Sequence, residues 1–373
     1  MRIVIDARLL EHEKGGMYRI IFNMFRCISD NNDNNQYTLY FSNIIPELEF
    51  LRNNKFDCRV LKGPKVLRAW YTFATHVLLP LNLLFGKFEL FYTPYYFGPL
   101  FNPVKKVILS PWDISFTTHP VHYSFRMGKQ LDFFSRLTCK KANALITCSE
   151  YDKDVITREY SVCKDNIFVL PLAVDQVFRD QSYVDDLDAY LTKLDLMGDY
   201  ILSVGTIYNR RNIDVLLIAF SRLIKNGKKL KLVLLGRNFT SPKLDFSAMI
   251  NELELSDYVF RQERVTDREL KLLYMGAMYT YCTSTVDGET IIIKESLAVG
   301  TPVIINTNFS RTISSLGVVF NNPEDVDSVE NVLLESIIKY PENLVVAKKG
   351  REYVLDITWG KSISQFIDFV QSV

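Results

Sequence analysis

Hydrophobic positions alternate between two patterns along this chain: short, nearly continuous apolar runs, and longer stretches whose apolar residues recur at helical spacing. Runs of the first kind read as strands buried on both faces. In the first half they are RIVID (2–6), YTLYF (37–41), CRVLK (58–62), FELFYT (88–93), KKVILS (105–110), ALITCS (144–149) and NIFVLPL (166–172). In the second half they are YILSVG (200–205), KLVLLG (231–236), YVFRQ (258–262), YTYCTS (279–284), PVIIN (302–306) and GVVFN (317–321). Helical spacing predicts MYRIIFNMFRCI as a helix after Gly15-Gly16, and further helices at about 212–225, 243–253, 267–275, 290–299 and 325–339.

Strands separated by helices argue for parallel βαβ units with helices on both faces of each sheet. The expected fold class is therefore α/β, with two Rossmann-like domains whose parallel sheets face each other across a cleft. The pattern divides the chain into residues 1–175, residues 176–357 and a closing amphipathic helix, 358–373, that returns toward the first domain. Residues 173–199 are rich in Asp and hold no buried strand, so they read as a linker followed by a peripheral helix. Tandem domains of this kind bind ligands where the strand C-termini meet the gap.

Composition then closes several routes. At 373 residues the chain exceeds one ordinary core. With 44 Lys and Arg against 43 Asp and Glu, the net charge of +1 supplies no global field to attract nucleic acid, so no such partner is expected. Six scattered cysteines with no C-x-x-C pair read as reduced thiols, and no metal-ligand spacing is found, so no metal or cofactor is expected. The opening MRIVIDARLL lacks the basic and apolar regions of a signal peptide, which makes the cytoplasm the expected location.

Ala69 to Gly86 is 18 residues without a formal charge between Arg68 and Lys87, but it holds His76, Pro80 and Asn82. A spanning helix of roughly 20 apolar residues is not expected here. Two readings stay open: a helix lying on a bilayer surface, giving peripheral membrane association, or an amphipathic helix packed inside the domain.

Two stretches carry candidate chemistry. In VGTIYNRRN (204–212) a buried strand ends at Gly205-Thr206, and Arg210, Arg211 and Asn212 stand at a helix start. Free N–H groups, a positive dipole end and adjacent guanidiniums together suit a phosphate or diphosphate, although an arginine pair on a loop also reads as solvated surface. In STVDGETIIIKESLAVGTPVI (284–304), Asp287 precedes a helix and Glu295 lies on it. Ionised carboxylates only accept hydrogen bonds, and sugar hydroxyls readily donate them. The plainer alternative is Asp287 as a cap and Glu295 as an exposed helix residue.

The order of these parts resembles the retaining glycosyltransferases of the GT-B fold, the large family of bacterial mannosyl- and glucosyltransferases. The resemblance runs through VGTIYNRRN, VTDRELKLLYMGA (265–277), YCTSTVDGETIIIKESLAVGTPVI and NNPEDVDSV in the second half. In the first half it includes RIVIDARLL with GGMYRII, SPWDISFTTHP (110–120), LITCSEY (145–151) and LPLAVD (170–175), and TWGKS (358–362) closes it. It implies transfer of a sugar from a nucleotide-sugar donor to a saccharide or lipid-linked acceptor, with retention and without metal, in surface polysaccharide synthesis. It implies that Glu295 binds ribose hydroxyls, that Asp287 contacts the transferred sugar, and that Arg211 with Arg210 neutralises the diphosphate. Gly15 and Gly16 would let backbone approach the phosphates. Asp113 marks the mid-domain loop at the reaction centre, and Gly205, Thr206, Gly288, Glu289, Thr290 and Ile291 complete the implied donor site.

Two departures bear on activity. Asp287-Gly288-Glu289-Thr290 stands where the family commonly has Glu-Gly-Phe-Gly, and Trp112 precedes Asp113 where the family usually has His. A catalytically weakened protein of the same fold, binding nucleotide or an assembly partner without turnover, is the alternative reading. A sugar-nucleotide epimerase is a second. A dehydrogenase ranks last, since no G-x-G-x-x-G follows the first strand.

Overall fold

The computed structural model describes residues 1–11, 15–180, 186–282, 284, 291–306, 315–320 and 322–373. It divides into two compact units, Met1–Leu172 with Thr358–Val373, and Ala173–Ile357. The first is built on seven strands: β1 (Arg2–Asp6), β2 (Gln36–Phe41), β3 (Phe56–Val60), β4 (Leu90–Thr93), β5 (Lys106–Leu109), β6 (Ala144–Thr147) and β7 (Ile167–Val169). The second has six: β8 (Tyr200–Val204), β9 (Lys231–Leu235), β10 (Val259–Gln262), β11 (Tyr279–Tyr281), β12 (Val303–Asn306) and β13 (Val318–Phe320). Each apolar run of the sequence forms its strand, and the small or polar residue ending several runs (Ser110, Gly205, Gly236) lies just past the strand's C-terminus.

Every pairing is parallel, in the orders β3-β2-β1-β4-β5-β6-β7 and β10-β9-β8-β11-β12-β13. The chain thus reverses direction across each sheet between β1 and β4, and again between β8 and β11. At such a reversal the connections leave to opposite sides, opening a crevice beyond the strand C-termini. The strands are apolar throughout because helices cover both faces. Val233, Leu235 and Ile293 belong to the core on one side of the second sheet, and Leu232, Leu234 and Phe220 to the other.

Residues 173–199 are more than a tether. Val174 and Phe178 lie in the second core with Leu191 and Leu196, because these few apolar residues among the aspartates all point inward. Helix Trp359–Ser372 belongs to the first unit, where the Ser362 hydroxyl donates to the Pro171 carbonyl at 2.7 Å and Phe366 packs on Tyr92. One long helix, Tyr340–Asp356, escapes the apolar pattern because its buried positions include Ala347 and Gly350. Small residues mark a close seam rather than a greasy face.

From Tyr71 to Leu83 the chain is helical, with a π turn at Ala74–Leu78. Its inner face buries Ala74, Leu78, Leu79 and Leu83 against Val4, Leu61 and Phe91. No helix among the described residues is long and apolar enough to cross a membrane. Arg8, 1 % exposed just past β1, ties this helix to the sheet: it donates to Asp6 through Nε (2.7 Å) and Nη2 (2.6 Å), and through Nη2 to Thr75 Oγ1 (2.8 Å). Burial is the largest influence and opposes its charge, but Asp6, Tyr71 and Glu11 together hold the guanidinium pKa above its usual value.

Half-buried His76, on the same helix, has its pKa lowered to about 4 by burial and by the charge of Arg8. Above the unfolded value near 6.5 the ring is neutral in both states and costs nothing. As pH falls from there toward about 4, the unfolded chain takes up a proton that the folded one refuses, so stability drops. His76→Gln is expected to shrink the loss of Tm between neutral pH and pH near 5, by about 1 kcal/mol in equivalent stability after solvent screening. Equal losses in parent and variant, by calorimetry, would contradict this.

Candidate functional site

The loop leaving β8 lies at the reversal of the second sheet, where β8 pairs with β11. Gly205 ends β8 with φ +112°, a conformation that L side chains rarely adopt. A Cβ added there would lie 2.9 Å from Arg211 Nη2 and 2.9 Å from Ile292 Cδ1. Gly205 thus marks where three things converge: the strand end, the Arg211 guanidinium and the first turn of helix Ile291–Val299. Gly236, at the end of β9, packs closer still, since its Cβ would meet the Gly205 carbonyl oxygen at 2.1 Å.

Arg211 closes a short 3₁₀ turn, Asn209–Arg211, after which Asn212 takes the left-handed conformation at φ 48° and opens helix Ile213–Lys225. That turn directs Arg211 back under the β8 loop, where it is 7 % exposed and donates from Nη1 to the Val204 carbonyl at 3.0 Å. Arg210 takes another course, its guanidinium stacking over the Tyr208 ring at 5.2 Å. Thr206, half-buried, continues the β8 loop.

Glu295 is 1 % exposed, so the reading as a solvated helix residue is excluded. A carboxylate so buried requires donors, and the Tyr274 hydroxyl donates to it at 3.1 Å. The helix carrying it is held on several sides. Ser296 Oγ donates to Thr280 Oγ1 at 2.8 Å, Arg351 Nε donates to the Ala298 carbonyl at 3.0 Å, and Gly350 comes so near Leu297 that a Cβ would lie 2.9 Å from its Cδ2. Ile291, the first described residue of the helix, is buried. Asp287, Gly288, Glu289 and Thr290 fall outside the described residues.

Gly15, Gly16 and Asp113 belong to the first unit. Gly15 is extended (φ −157°) and precedes helix Gly16–Asp30, and a Cβ at either glycine would meet no described atom within 4 Å. Neither conformation nor packing among the described residues calls for glycine there. Asp113 accepts from the Ser115 N–H (2.9 Å) and hydroxyl (2.6 Å), fixing the turn into Ser115–Thr118. Trp112 is core: its indole donates to the Pro94 carbonyl at 3.2 Å, and its own carbonyl accepts from Thr147 Oγ1 at 2.9 Å.

Gly236, Tyr274 and Gly350 are site-building residues that the sequence reading passed over. The glycine ending β9, KLVLLG, was the one available signal. Among the described residues no group of three or more His, Cys, Asp or Glu side chains gathers where it could hold a metal ion.

Two parallel Rossmann-like sheets in this strand order match the GT-B architecture. Residues 192–332 match the family model "Glycosyl transferases group 1". The chain is 25 % identical over 273 residues to the O-antigen chain mannosyltransferase RfbU of Salmonella typhimurium, covering 71 % of this chain and 69 % of that one. It is 28 % identical over 234 residues to alpha-monoglucosyldiacylglycerol synthase of Streptococcus pneumoniae, covering 60 % of this chain and 51 %, about half, of that protein. Its fold matches sucrose-phosphate synthase of Thermosynechococcus elongatus (TM-score 0.78, 15 % identity, 100 % and 98 % of the two chains). It also matches Anabaena HepE solved with UDP-glucose (TM-score 0.73, 12 % identity, 100 % of both).

Proposed function

We propose that this protein transfers a sugar from a nucleotide-sugar donor to a saccharide or lipid-linked acceptor in the cytoplasm, in the synthesis of a surface polysaccharide or glycolipid. The observation that carries this reading is the convergence of Gly205, Arg211 and helix Ile291–Val299 at the reversal of the second sheet. A glycine that admits close backbone approach, a guanidinium and the positive end of a helix are what a diphosphate requires. As the bond from the anomeric carbon to the diphosphate stretches, negative charge grows on the leaving group, and fixed positive groups stabilise that charge more than the ground state.

In this reading Arg211 faces the diphosphate with the backbone at Gly205 and Thr206, Glu295 accepts from the ribose hydroxyls, and Asp287 with the Gly288–Ile291 backbone meets the sugar and phosphate. Arg210 adds charge at the rim. For Gly15, Gly16 and Asp113, in the first unit, a role follows the family resemblance alone. Retention of configuration and independence from metal follow the family resemblance.

A panel of UDP-, GDP- and dTDP-sugars, screened by thermal shift with EDTA present, tests donor binding. At about 100 times its dissociation constant the right donor adds roughly 2.7 kcal/mol of stability. Transfer to an acceptor in the same buffer tests chemistry. Loss of turnover on EDTA addition would overturn metal independence. The weakened-binder reading rests on Trp112 being fixed in the core and on Asp113 being committed to its turn; it predicts a shift without product.

A further inference from the structure

Exposed apolar side chains are unevenly spread over this chain. Of 24 large ones among the described residues, 13 fall between Val66 and Leu137. The helix Tyr71–Leu83, whose inner face is buried in the core, carries a second apolar stripe outward: Val77 and Leu81, continued at its ends by Trp70 (62 % exposed) and Phe85 (92 % exposed). Helix Phe125–Lys141 lies alongside. Gln130 Nε2 donates to Thr72 Oγ1 at 2.5 Å, and the Phe134 and His76 rings pack with centroids 4.2 Å apart. Its outer face adds exposed Phe133 (57 %) and Leu137.

Charge is equally uneven. Residues 62–87 hold four basic side chains and no acidic one. Helix Phe125–Lys141 holds five basic side chains and one acidic, Asp132, already bonded to Arg136 at 2.9 Å. These two stretches thus carry a net +8 on a chain whose whole formal charge is +1. Lys62, Lys65, Lys129 and Lys140 are exposed.

We infer that this face of the first unit docks on an anionic lipid bilayer, lying in the interface rather than crossing it. Aromatic and aliphatic side chains standing proud among cations of a single sign suit acyl chains below and anionic headgroups around them. The inner side of the helix within Ala69–Gly86 packs in the core, and the proposal assigns its outer side to the membrane. The proposal does not depend on the donor site.

The test is cosedimentation of the full chain with vesicles of phosphatidylcholine alone, or containing about one third phosphatidylglycerol, over a salt series. The protein is expected to pellet with the anionic vesicles and to be released by salt. Lys129→Glu with Lys140→Glu should weaken binding at least about tenfold. Trp70→Ser with Phe85→Ser should weaken it comparably, with only a small loss of Tm from the stacking of Trp70 on Phe73, and donor thermal shifts should persist in both variants. Absence of pelleting, equal binding to both vesicle types, or parent-like binding by both variants would overturn the proposal. So would a concentration-dependent dimer in sedimentation velocity that Phe85→Ser dissolves, since the occupant would then be a second copy.

Discussion

Arg211→Ala is expected to weaken donor binding and to lower turnover by about a hundredfold or more, as removal of a fixed donor from a developing oxyanion does. Buried under the β8 loop, Arg211 also donates to the Val204 carbonyl, so the alanine variant should lose about 1 kcal/mol of stability as well. This corrects the simplest expectation, in which a surface arginine could be removed at no cost to the unliganded protein. Arg211→Lys separates the two effects: it keeps a positive charge but loses bidentate geometry, and its affinity should fall between parent and alanine. Glu295→Gln is the companion test, because the amide keeps the size and an acceptor for Tyr274 while losing the carboxylate. Titration calorimetry with the donor found by thermal shift reads all three, and parent-like affinity throughout would move the donor elsewhere.

Gly236→Ala is expected to be among the most damaging single-methyl changes available. Its Cβ would sit 2.1 Å from the Gly205 carbonyl oxygen, a backbone atom that cannot swing aside, at a φ of +152° that L residues rarely adopt. Strain and displacement together should cost about 3 kcal/mol. The loop that must move also carries Gly205 and its hydrogen bond to the Leu235 carbonyl, so donor affinity should fall along with stability. Gly227→Ala makes the control: this glycine also has positive φ (+78°), but no atom lies within 4 Å of an added Cβ. A Gly236→Ala protein melting no lower than the Gly227→Ala control would contradict the close approach.

Strand positions were written plainly in the sequence because parallel strands covered on both faces need unbroken apolar runs, and those runs are easy to see. Helix Tyr340–Asp356 was hidden for the opposite reason: it meets helix Ile291–Val299 at Gly350 and buries Ala347, residues that pattern reading treats as neutral. At the site, Arg211 and Glu295 were visible as residue types in a suggestive order. Their burial was not, since burial depends on the 3₁₀ turn at Asn209–Arg211 and on Tyr274 arriving from another helix. The divergence of Arg210 onto Tyr208 was likewise invisible, because adjacent residues in a tight turn point different ways and sequence gives only their adjacency. The exposed stripe from Trp70 to Phe85 was ambiguous for a physical reason too: a helix apolar on two sides gives the same composition whether one side or both are buried.

The most direct measurement is a crystal structure of the protein soaked with the nucleotide sugar that shifts its melting point. The donor site described above predicts the pyrophosphate beyond the ends of β8 and β11, within about 3 Å of the Arg211 guanidinium and of backbone N–H groups at the Gly205 loop. A well-ordered donor bound elsewhere, with Arg211 still bonded only to protein, would contradict it.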